Sequence, residues 1–207
     1  GNESLRCNTT GAQNTSIGNN AMLKNTTASN NVAVGAAALD ANTTGHSLVA
    51  IGHSALTANT TANYNVAVGK GVMAATTTGN TNTAMGQTSL TANTTGSNNT
   101  AFGASSLEGN ISGANNNAFG NSALISNTTG TCNVAIGQSA LGANTTASNN
   151  VAVGALALND NTVGFENTGL GNQAGDEITT GDQNTAVGSN SLGKVTTGDC
   201  NTGLGRA

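Results

Sequence analysis

Residues 133–149 read NVAIGQSALGANTTASN, and residues 150–166 repeat the pattern as NVAVGALALNDNTVGFE. The glycine of this unit recurs every 17 residues, without insertion or deletion, through the 207-residue chain. A fixed period of this length is typical of a supersecondary unit that buries its apolar side only by stacking on its neighbours. The glycine column comprises Gly18, Gly35, Gly52, Gly69, Gly86, Gly103, Gly120, Gly137, Gly154, Gly171, Gly188 and Gly205.

The period extends over the whole chain, so residues 1–207 are interpreted as a single repeat domain. Its twelve coils start at residues 1, 18, 35, 52, 69, 86, 103, 120, 137, 154, 171 and 188. The pattern weakens from about residue 160 to 207, where Gly175 replaces a leucine and Ile178 and Val195 replace asparagines. We therefore expect a degenerate capping or docking end there.

The segment before each glycine alternates in polarity with period two, which predicts a short β-strand. The Asn-Thr-Thr segment that follows is rich in β-branched threonine and is flanked by turn residues, so it predicts a second strand. No stretch keeps the 3.6-residue apolar spacing of a helix, and the chain contains no proline that would interrupt ladder hydrogen bonds. The fold class expected is all-β, a parallel β-solenoid of about twelve 17-residue coils.

Two apolar columns are expected to form the core, because each keeps large aliphatic or aromatic side chains in nearly every coil. One is the residue immediately before the glycine, the pre-glycine column; the other lies four residues after it, the leucine column. The predicted core residues are Ile17, Val34, Ile51, Val68, Met85, Phe102, Phe119, Ile136 and Val153, with Leu39, Leu56, Leu90, Leu107, Leu124, Leu141 and Leu158.

A column of small residues lies two positions before the glycine and alternates with the predicted core, so it is expected to face outward. Because it never carries a large or charged residue, something must pack closely against it. One interpretation is a subunit interface along the rod, and the other is a tight bend or crowded second layer within the coil. Its members, the alanine column, include Ala33, Ala50, Ala67, Ala84, Ala101, Ala118, Ala135 and Ala152.

Asparagine stands four residues before the glycine in eleven of twelve coils, with Leu48 as the exception. Asparagine tolerates left-handed backbone geometry, and its amide can bond the same amide one coil above and below, so an asparagine ladder is expected. Asn-Thr-Thr also creates glycosylation sequons, which we interpret as a by-product of a ladder. The asparagines four residues before the glycine form the strand asparagine column, which comprises Asn14, Asn31, Asn65, Asn82, Asn99, Asn116, Asn133, Asn150, Asn167, Asn184 and Asn201.

Catalytic chemistry has little support in the sequence. His46 and His53 fall in different columns, and the chain has no phosphate-binding loop, HExxH, Cys-x-x-Cys or Gly-x-Ser-x-Gly motif. A net charge of −4 argues against nucleic acid and anionic membranes as partners. We therefore expect neither an enzyme nor a resident cofactor. The weak alternative is Ca²⁺ at Asp182 and Asp199, which share a column and would stack their carboxylates.

Three cysteines, Cys7, Cys132 and Cys200, are the only candidates for cross-links. Cys132 and Cys200 share a column but lie four coils apart, or roughly 19 Å, which exceeds disulfide reach. No disulfide within one chain is therefore expected.

The unit Asn-Thr/Val-Ala-Val/Ile-Gly-x-x-Ala/Ser-Leu, as in residues 133–141 and 150–158, resembles the head repeats of YadA-like trimeric autotransporter adhesins and related bacteriophage tail-fibre segments. The resemblance covers essentially the whole chain, although the 17-residue unit is longer than the family's typical head repeat. It implies a left-handed parallel β-roll that trimerises side by side, lies outside the cell and binds host matrix or cell surfaces.

The function expected is a non-catalytic, extracellular structural or adhesive rod on a cell or virion surface. Its partners would be copies of itself, as a homotrimer, and a host surface, matrix or glycan receptor. One alternative is a subunit of a head-to-tail extracellular filament, because open solenoid ends can template further stacking. Another is an ice-binding protein, although neighbouring threonines on a strand point to opposite faces and cannot form a paired array.

Overall fold

A computed structural model describes residues 1–206 and contains twelve strands of three residues each. Each strand ends at the residue before a glycine of the glycine column. The strands are β1 (Thr15–Ile17), β2 (Val32–Val34), β3 (Val49–Ile51), β4 (Val66–Val68), β5 (Thr83–Met85), β6 (Thr100–Phe102), β7 (Asn117–Phe119), β8 (Val134–Ile136), β9 (Val151–Val153), β10 (Thr168–Leu170), β11 (Thr185–Val187) and β12 (Thr202–Leu204).

All twelve strands form one parallel sheet in chain order, each paired with its neighbours in sequence. The register advances by one unit per strand, so Ala101 of β6 pairs with Ala118 of β7, which pairs with Ala135 of β8. This topology confirms the parallel β-solenoid. At about 4.8 Å per strand, the stack is about 55 Å long.

The Asn-Thr-Thr segment forms no strand in residues 1–206, so the prediction of a second strand per coil is wrong. The amides of Thr43 and Thr44 both donate to the carbonyl of Thr60, at 3.1 and 3.2 Å. In a strand, successive amides point to opposite sides, so two neighbours cannot share one acceptor. The segment is therefore a bend whose amides converge on the next coil.

The assignment of inner and outer columns on the strand is the reverse of the prediction. The alanine column is inside: Ala33, Ala50, Ala67, Ala84, Ala101, Ala118, Ala135 and Ala152 are all at most 1% exposed. The pre-glycine column is outside, so its assignment to the core is wrong for Ile17, Val34, Ile51, Val68, Met85, Phe102, Phe119, Ile136 and Val153. The subunit interface proposed for the alanines is wrong as well, because nothing outside the coil can reach them.

The leucine column explains why only a small residue fits at the inward strand position. Leu39, Leu56, Leu90, Leu107, Leu124, Leu141 and Leu158 are fully buried, as predicted. A Cβ atom added to Gly169, which stands in the alanine column, would lie only 2.9 Å from Cγ of Leu158. One methyl group already fills the space between strand and leucine, and a valine or isoleucine there would overlap the core.

Leucines reach the interior from a turn with left-handed backbone geometry. Leu107 has φ 50° and its carbonyl accepts the amide of Asn110 at 3.1 Å, while its own amide donates to Ala123 of the next coil at 2.9 Å. Such geometry costs a branched side chain about 1–2 kcal/mol. Burial of the leucine offsets that cost, and Gly175 retains the same geometry, with φ 63°.

The glycine column is invariant for two reasons. Gly120 has φ 141°, which is accessible to glycine and strained for other residues. A Cβ atom on it would lie 2.4 Å from the carbonyl oxygen of Gly137 in the next coil. Each coil therefore turns away from its strand through a glycine that also touches the neighbouring coil.

The C-terminal coils continue the fold through β10, β11 and β12 despite the weaker sequence pattern. Gly175 leaves a gap in the leucine column, and Ile178 of the same coil is fully buried with Cδ1 2.9 Å from where a Cβ of residue 175 would lie. The two departures from the repeat therefore compensate each other. Ala207, the last residue of the predicted degenerate end, lies outside the described residues.

Candidate functional site

The outer face of the sheet presents two columns along the rod. One is the first residue of each strand, threonine or valine in every coil except for Asn117, and is half-buried through most of the rod. The other is the pre-glycine column, two residues further on. Because strand side chains alternate, both columns point away from the core that holds the alanine column.

The pre-glycine column is an apolar ridge that no part of residues 1–206 covers. Ile17, Met85 and Ile136 are 58%, 46% and 42% exposed, whereas the alanine column beside them is buried. Single exposed apolar residues are ordinary on protein surfaces, but contiguous apolar patches of several hundred Å² mark interaction sites. The column comprises Ile17, Val34, Ile51, Val68, Met85, Phe102, Phe119, Ile136, Val153, Leu170, Val187 and Leu204.

The largest side chains of this ridge lie at the middle of the rod. Phe102 of β6 and Phe119 of β7 stack with ring centroids 5.3 Å apart and an interplanar angle of 5°. Met85 precedes them on β5. Aromatic side chains contribute large contact areas at interfaces, so the middle of the ridge has the strongest capacity to bind a partner.

The strand asparagine column forms the predicted ladder. Asn116 accepts the backbone amide of Asn133 at 3.0 Å, and its own side-chain amide donates to the carbonyl of Gly130 at 2.8 Å. These asparagines are buried in the interior coils, and none has a positive φ, so the left-handed geometry expected for them is wrong. Their side chains connect successive coils, which is a structural role.

A second ladder runs through the asparagine of Asn-Thr-Thr, the turn asparagine column. Asn127 donates to the side-chain oxygen of Asn110 at 2.8 Å and to the carbonyl of Gly130 at 3.1 Å. The ladder is interrupted where Thr76 and Ile178 replace asparagine, which leaves Oδ1 of Asn59 and Asn161 without a partner. The buried members of this column use their amides in the ladder, so glycosylation there would require the ladder to open.

Threonine hydroxyls of the first Asn-Thr-Thr position are also used within the fold. Thr43 donates to the carbonyl of Thr60 at 3.1 Å, and Thr128 donates to Thr145 at 3.0 Å. The second threonine of each segment is exposed, as at Thr44 and Thr129. Within the Asn-Thr-Thr segments, the second threonine is therefore the one whose side chain faces solvent.

The side chains of Asp182 and Asp199 accept hydrogen bonds from backbone amides of the preceding coil. Oδ1 of Asp182 accepts the amide of Phe165, and Oδ1 of Asp199 accepts the amide of Asp182, both at 2.9 Å. Asn63 serves the same role towards His46. Across residues 1–206, no three histidine, cysteine or acidic side chains lie close enough to hold a metal ion together.

The histidines and cysteines lie on the surface and do not form a shared site. The rings of His46 and Tyr64 are nearly perpendicular, with centroids 5.1 Å apart, and His53 is exposed. Cys7, Cys132 and Cys200 are exposed free thiols.

A shallow cavity of about 530 Å³ near the C-terminal end is lined by Gln173, Asp176, Glu177, Asn190, Gly193 and Lys194. Partial burial raises the pKa of the Asp176 carboxyl, and the neighbouring Glu177 and Asp160 raise it further. Lys194 forms an ion pair with Glu177, and the hydrogen bond to that carboxylate raises the pKa of the lysine. The cavity therefore holds two neighbouring carboxylates, one of which is paired with a lysine.

Within the described residues, no helix is long and apolar enough to cross a membrane. Comparison with known proteins finds no matching family model, no matching curated protein and no matching solved structure for this chain.

Proposed function

We propose that this protein is a non-catalytic, extracellular structural or adhesive rod that associates with copies of itself through the outer face of its sheet. The observation that carries the proposal is the pre-glycine column, an apolar ridge through all twelve strands whose side chains are exposed or half-buried. Exposure of such a ridge to water costs free energy that burial against a partner recovers.

A partner made of the same repeat fits this ridge best. The ridge presents one apolar side chain per strand, at a spacing of about 4.8 Å over about 55 Å. A second copy presents the same spacing, so contact made at one coil can be repeated at all the others. The resemblance to trimeric adhesin heads supports lateral association, with three copies as one arrangement.

The remaining surface suits attachment outside a cell. Two asparagine ladders connect successive coils in the interior, and the free sides of the coils carry mostly neutral polar residues. A repetitive surface of this kind can bind a host surface, matrix or glycan receptor with many weak contacts whose avidity is high. We place the protein on a cell or virion surface for these reasons.

Sedimentation equilibrium of the purified chain tests self-association, and binding to immobilised matrix proteins and glycans tests adhesion. We expect a discrete oligomer that binds at least one of these surfaces more tightly than an unrelated β-rod does. Phe119→Asp should dissociate the oligomer, whereas Thr129→Asp on an exposed bend away from the ridge should not. A monomer at high concentration would contradict self-association, and a well-formed oligomer without any surface binding would contradict the adhesive role.

The second candidate is a head-to-tail filament. Within residues 1–206, β1 and β12 each pair with one strand, and a coil of a second copy stacked on either strand would extend the same parallel sheet. Long uniform fibres in negative-stain images would favour this candidate, and discrete rods of one length would exclude it.

A further inference from the structure

Tyr64 stands at a position of the repeat where no other coil carries an aromatic residue. The position lies immediately before the strand asparagine column, and every residue there has a φ between 56 and 63°. Asparagine, which tolerates this left-handed backbone well, is the commonest residue at the position. Its members are Gln13, Asn30, Ser47, Tyr64, Thr81, Asn98, Asn115, Cys132, Asn149, Glu166, Gln183 and Cys200.

The backbone at Tyr64 is strained, and the fold does not compensate for the strain. Its φ of 58° disfavours a bulky side chain. The leucine column has the same backbone geometry, but complete burial of the leucines offsets the cost. Tyr64 is 57% exposed, so burial offsets little of it. A strained residue that the rest of the fold does not reward is typical of a functional position.

The coil before that of Tyr64 contains a second departure from the repeat. Leu48 stands where the strand asparagine column has its one gap. In other coils this asparagine accepts the backbone amide one coil further on, as Asn116 accepts that of Asn133 at 3.0 Å. Leu48 offers no such acceptor to Asn65, the residue after Tyr64. Two departures that weaken the fold therefore lie in adjacent coils, which is expected where function overrides stability.

His46 and the backbone fix the position of Tyr64. The two rings are nearly perpendicular, with centroids 5.1 Å apart. The amide of Tyr64 donates to the carbonyl of His46 at 3.2 Å, and the amide of His46 donates to Oδ1 of Asn63 at 2.9 Å. These contacts restrict the tyrosine ring while more than half of the residue stays exposed, so the ring is prepared to receive a ligand.

Neutral polar groups surround the ring. Ser47 and Thr81 occupy the same column one coil before and one coil after Tyr64, at a spacing of about 4.8 Å. Oδ1 of Asn63 is used in the bond to His46, which leaves Nδ2 to donate to a ligand. The hydroxyls of Tyr64 and Thr81 belong to exposed residues. The site thus combines one flat apolar surface with a rim of amide and hydroxyl groups.

A neutral pyranose sugar has the complementary chemistry. One face of its ring carries C–H bonds that pack on an aromatic side chain, and its hydroxyls form hydrogen bonds around that contact. A peptide that adds a strand would need unpaired backbone groups. The amides of Tyr64 and Thr81 are already paired between coils, to the carbonyls of His46 and Asn63.

We propose that Tyr64 and His46 form the centre of a binding site for a neutral pyranose sugar. Asn63, Ser47 and Thr81 form its polar rim. The site rests on the proposed adhesive function and names the chemical class of the receptor. One site per chain suits a rod that associates with copies of itself, because several weak sites then act together on a glycan-covered surface.

Intrinsic fluorescence tests the site directly, because Tyr64 is the only tyrosine and the chain has no tryptophan. The wild-type protein is titrated with methyl α-mannopyranoside, methyl β-galactopyranoside and N-acetylglucosamine. We expect at least one of them to change the tyrosine emission saturably, with a Kd on the order of 1 mM, as for a small ligand at a shallow site.

The outcomes separate this site from the proposed function. A folded oligomer that binds immobilised matrix proteins but none of the three sugars would overturn the sugar site and leave the adhesive rod standing. A folded oligomer that binds neither sugars nor any immobilised surface would overturn both.

Variants of Tyr64 are compared by saturation-transfer NMR, which needs no fluorophore. Tyr64→Asn should raise the sugar Kd at least about tenfold, because the stacking surface is lost. It should not lower the urea midpoint, since asparagine suits this backbone. Tyr64→Phe keeps the ring and should raise the Kd much less.

His53→Asn is the matched control for His46→Asn, because both remove a histidine and His53 lies in a different column. His46→Asn should weaken sugar binding by releasing the tyrosine ring, whereas His53→Asn should leave it unchanged. Equal Kd values for wild type and Tyr64→Asn would overturn the site and leave sugar binding by another surface. A Kd for Tyr64→Phe as high as that for Tyr64→Asn would overturn the stacking contact.

Discussion

The leucine column and the pre-glycine column are both apolar in nearly every coil, yet one is buried and the other is exposed. Leu56, Leu107 and Leu141 have no exposed surface, whereas Ile17 and Phe119 are 58% and 40% exposed. Within each repeat, four residues separate the pre-glycine residue from the leucine column, as between Ile136 and Leu141. Apolar character alone therefore does not determine whether a column of this repeat is buried within the chain.

Backbone geometry causes the difference. The pre-glycine residue ends a three-residue strand whose middle side chain, an alanine, points inward, so its own side chain points outward. The chain then turns at glycine and enters the left-handed geometry that directs leucine inward. Leucine covers the alanines within one chain, whereas no part of residues 1–206 covers the outer column.

The largest difference in stability between the two columns should appear when each of them receives a charged side chain. Leu107→Asp should destabilise the rod by about 4 kcal/mol or more, because an unpaired carboxylate would be buried between coils. Aspartate tolerates the left-handed backbone at this position, so the burial of charge causes the loss. Phe119→Asp should leave the free energy of unfolding of the isolated chain within about 0.5 kcal/mol of wild type.

Urea unfolding at a concentration where the rod is monomeric measures both variants. Leu107→Asp should also melt several neighbouring coils together, because each coil depends on its neighbours. Retained cooperative unfolding of the whole rod at unchanged urea midpoint would contradict the core assignment.

The turn between the two columns should be nearly as sensitive. Gly120→Ala should cost about 3 kcal/mol, because alanine is strained at φ 141° and its methyl group would overlap the carbonyl of Gly137. Gly205→Ala is the matched control, with φ 116° but no atom within 4 Å of the added methyl group. Thermal denaturation should show a much smaller loss of stability for the control. Equal losses would mean that the close contact between coils is not the reason why this position requires glycine.

Adjacent strand residues offer a direct comparison of inside and outside. Ala118→Leu should destabilise the rod by about 2 kcal/mol through overpacking against the leucine column. Phe119→Leu, one residue later on the outer face, should change the stability of the monomer very little. If chemical denaturation reversed this order, the inner and outer faces of the strand would have been assigned wrongly.

The smallest effect is a predicted stabilisation within the turn asparagine column. Thr76→Asn should provide the missing donor to Oδ1 of Asn59 and raise the free energy of unfolding by about 1 kcal/mol. Thr78→Asn, an exposed change two residues away, should leave stability nearly unchanged. Failure of Thr76→Asn to exceed this control in a urea titration would show that the ladder contributes little.

Much of the fold could be predicted from the repeat. The parallel strands before each glycine, the buried leucines and the strand asparagine ladder all follow from a period that fixes which residues stack. The Asn-Thr-Thr bend could not be predicted, because threonine favours strands and only the shared carbonyl of Thr60 shows the convergence of the amides. The sequence also did not predict that the side chain of Ile178 compensates for the leucine missing at Gly175, because this requires knowing how the two residues pack in the coil.

The candidate site was the part most altered by the structure. Alternation along the strand correctly separated two sides, but the sequence offered large apolar residues on one side and alanine on the other, and the larger residues were assigned to the core. The signal that could have corrected this was the leucine column, which already supplies one large side chain per coil. A narrow coil has no room for a second large side chain opposite it.

By itself, the sequence determined the period, the number of coils, the strand positions and the residues that stack in register, because these follow from local pattern and repetition. Only the tertiary structure decided which side of each strand faces inward. That choice depends on how the turn at glycine brings leucine over the strand, and thus on the volume available within a closed coil.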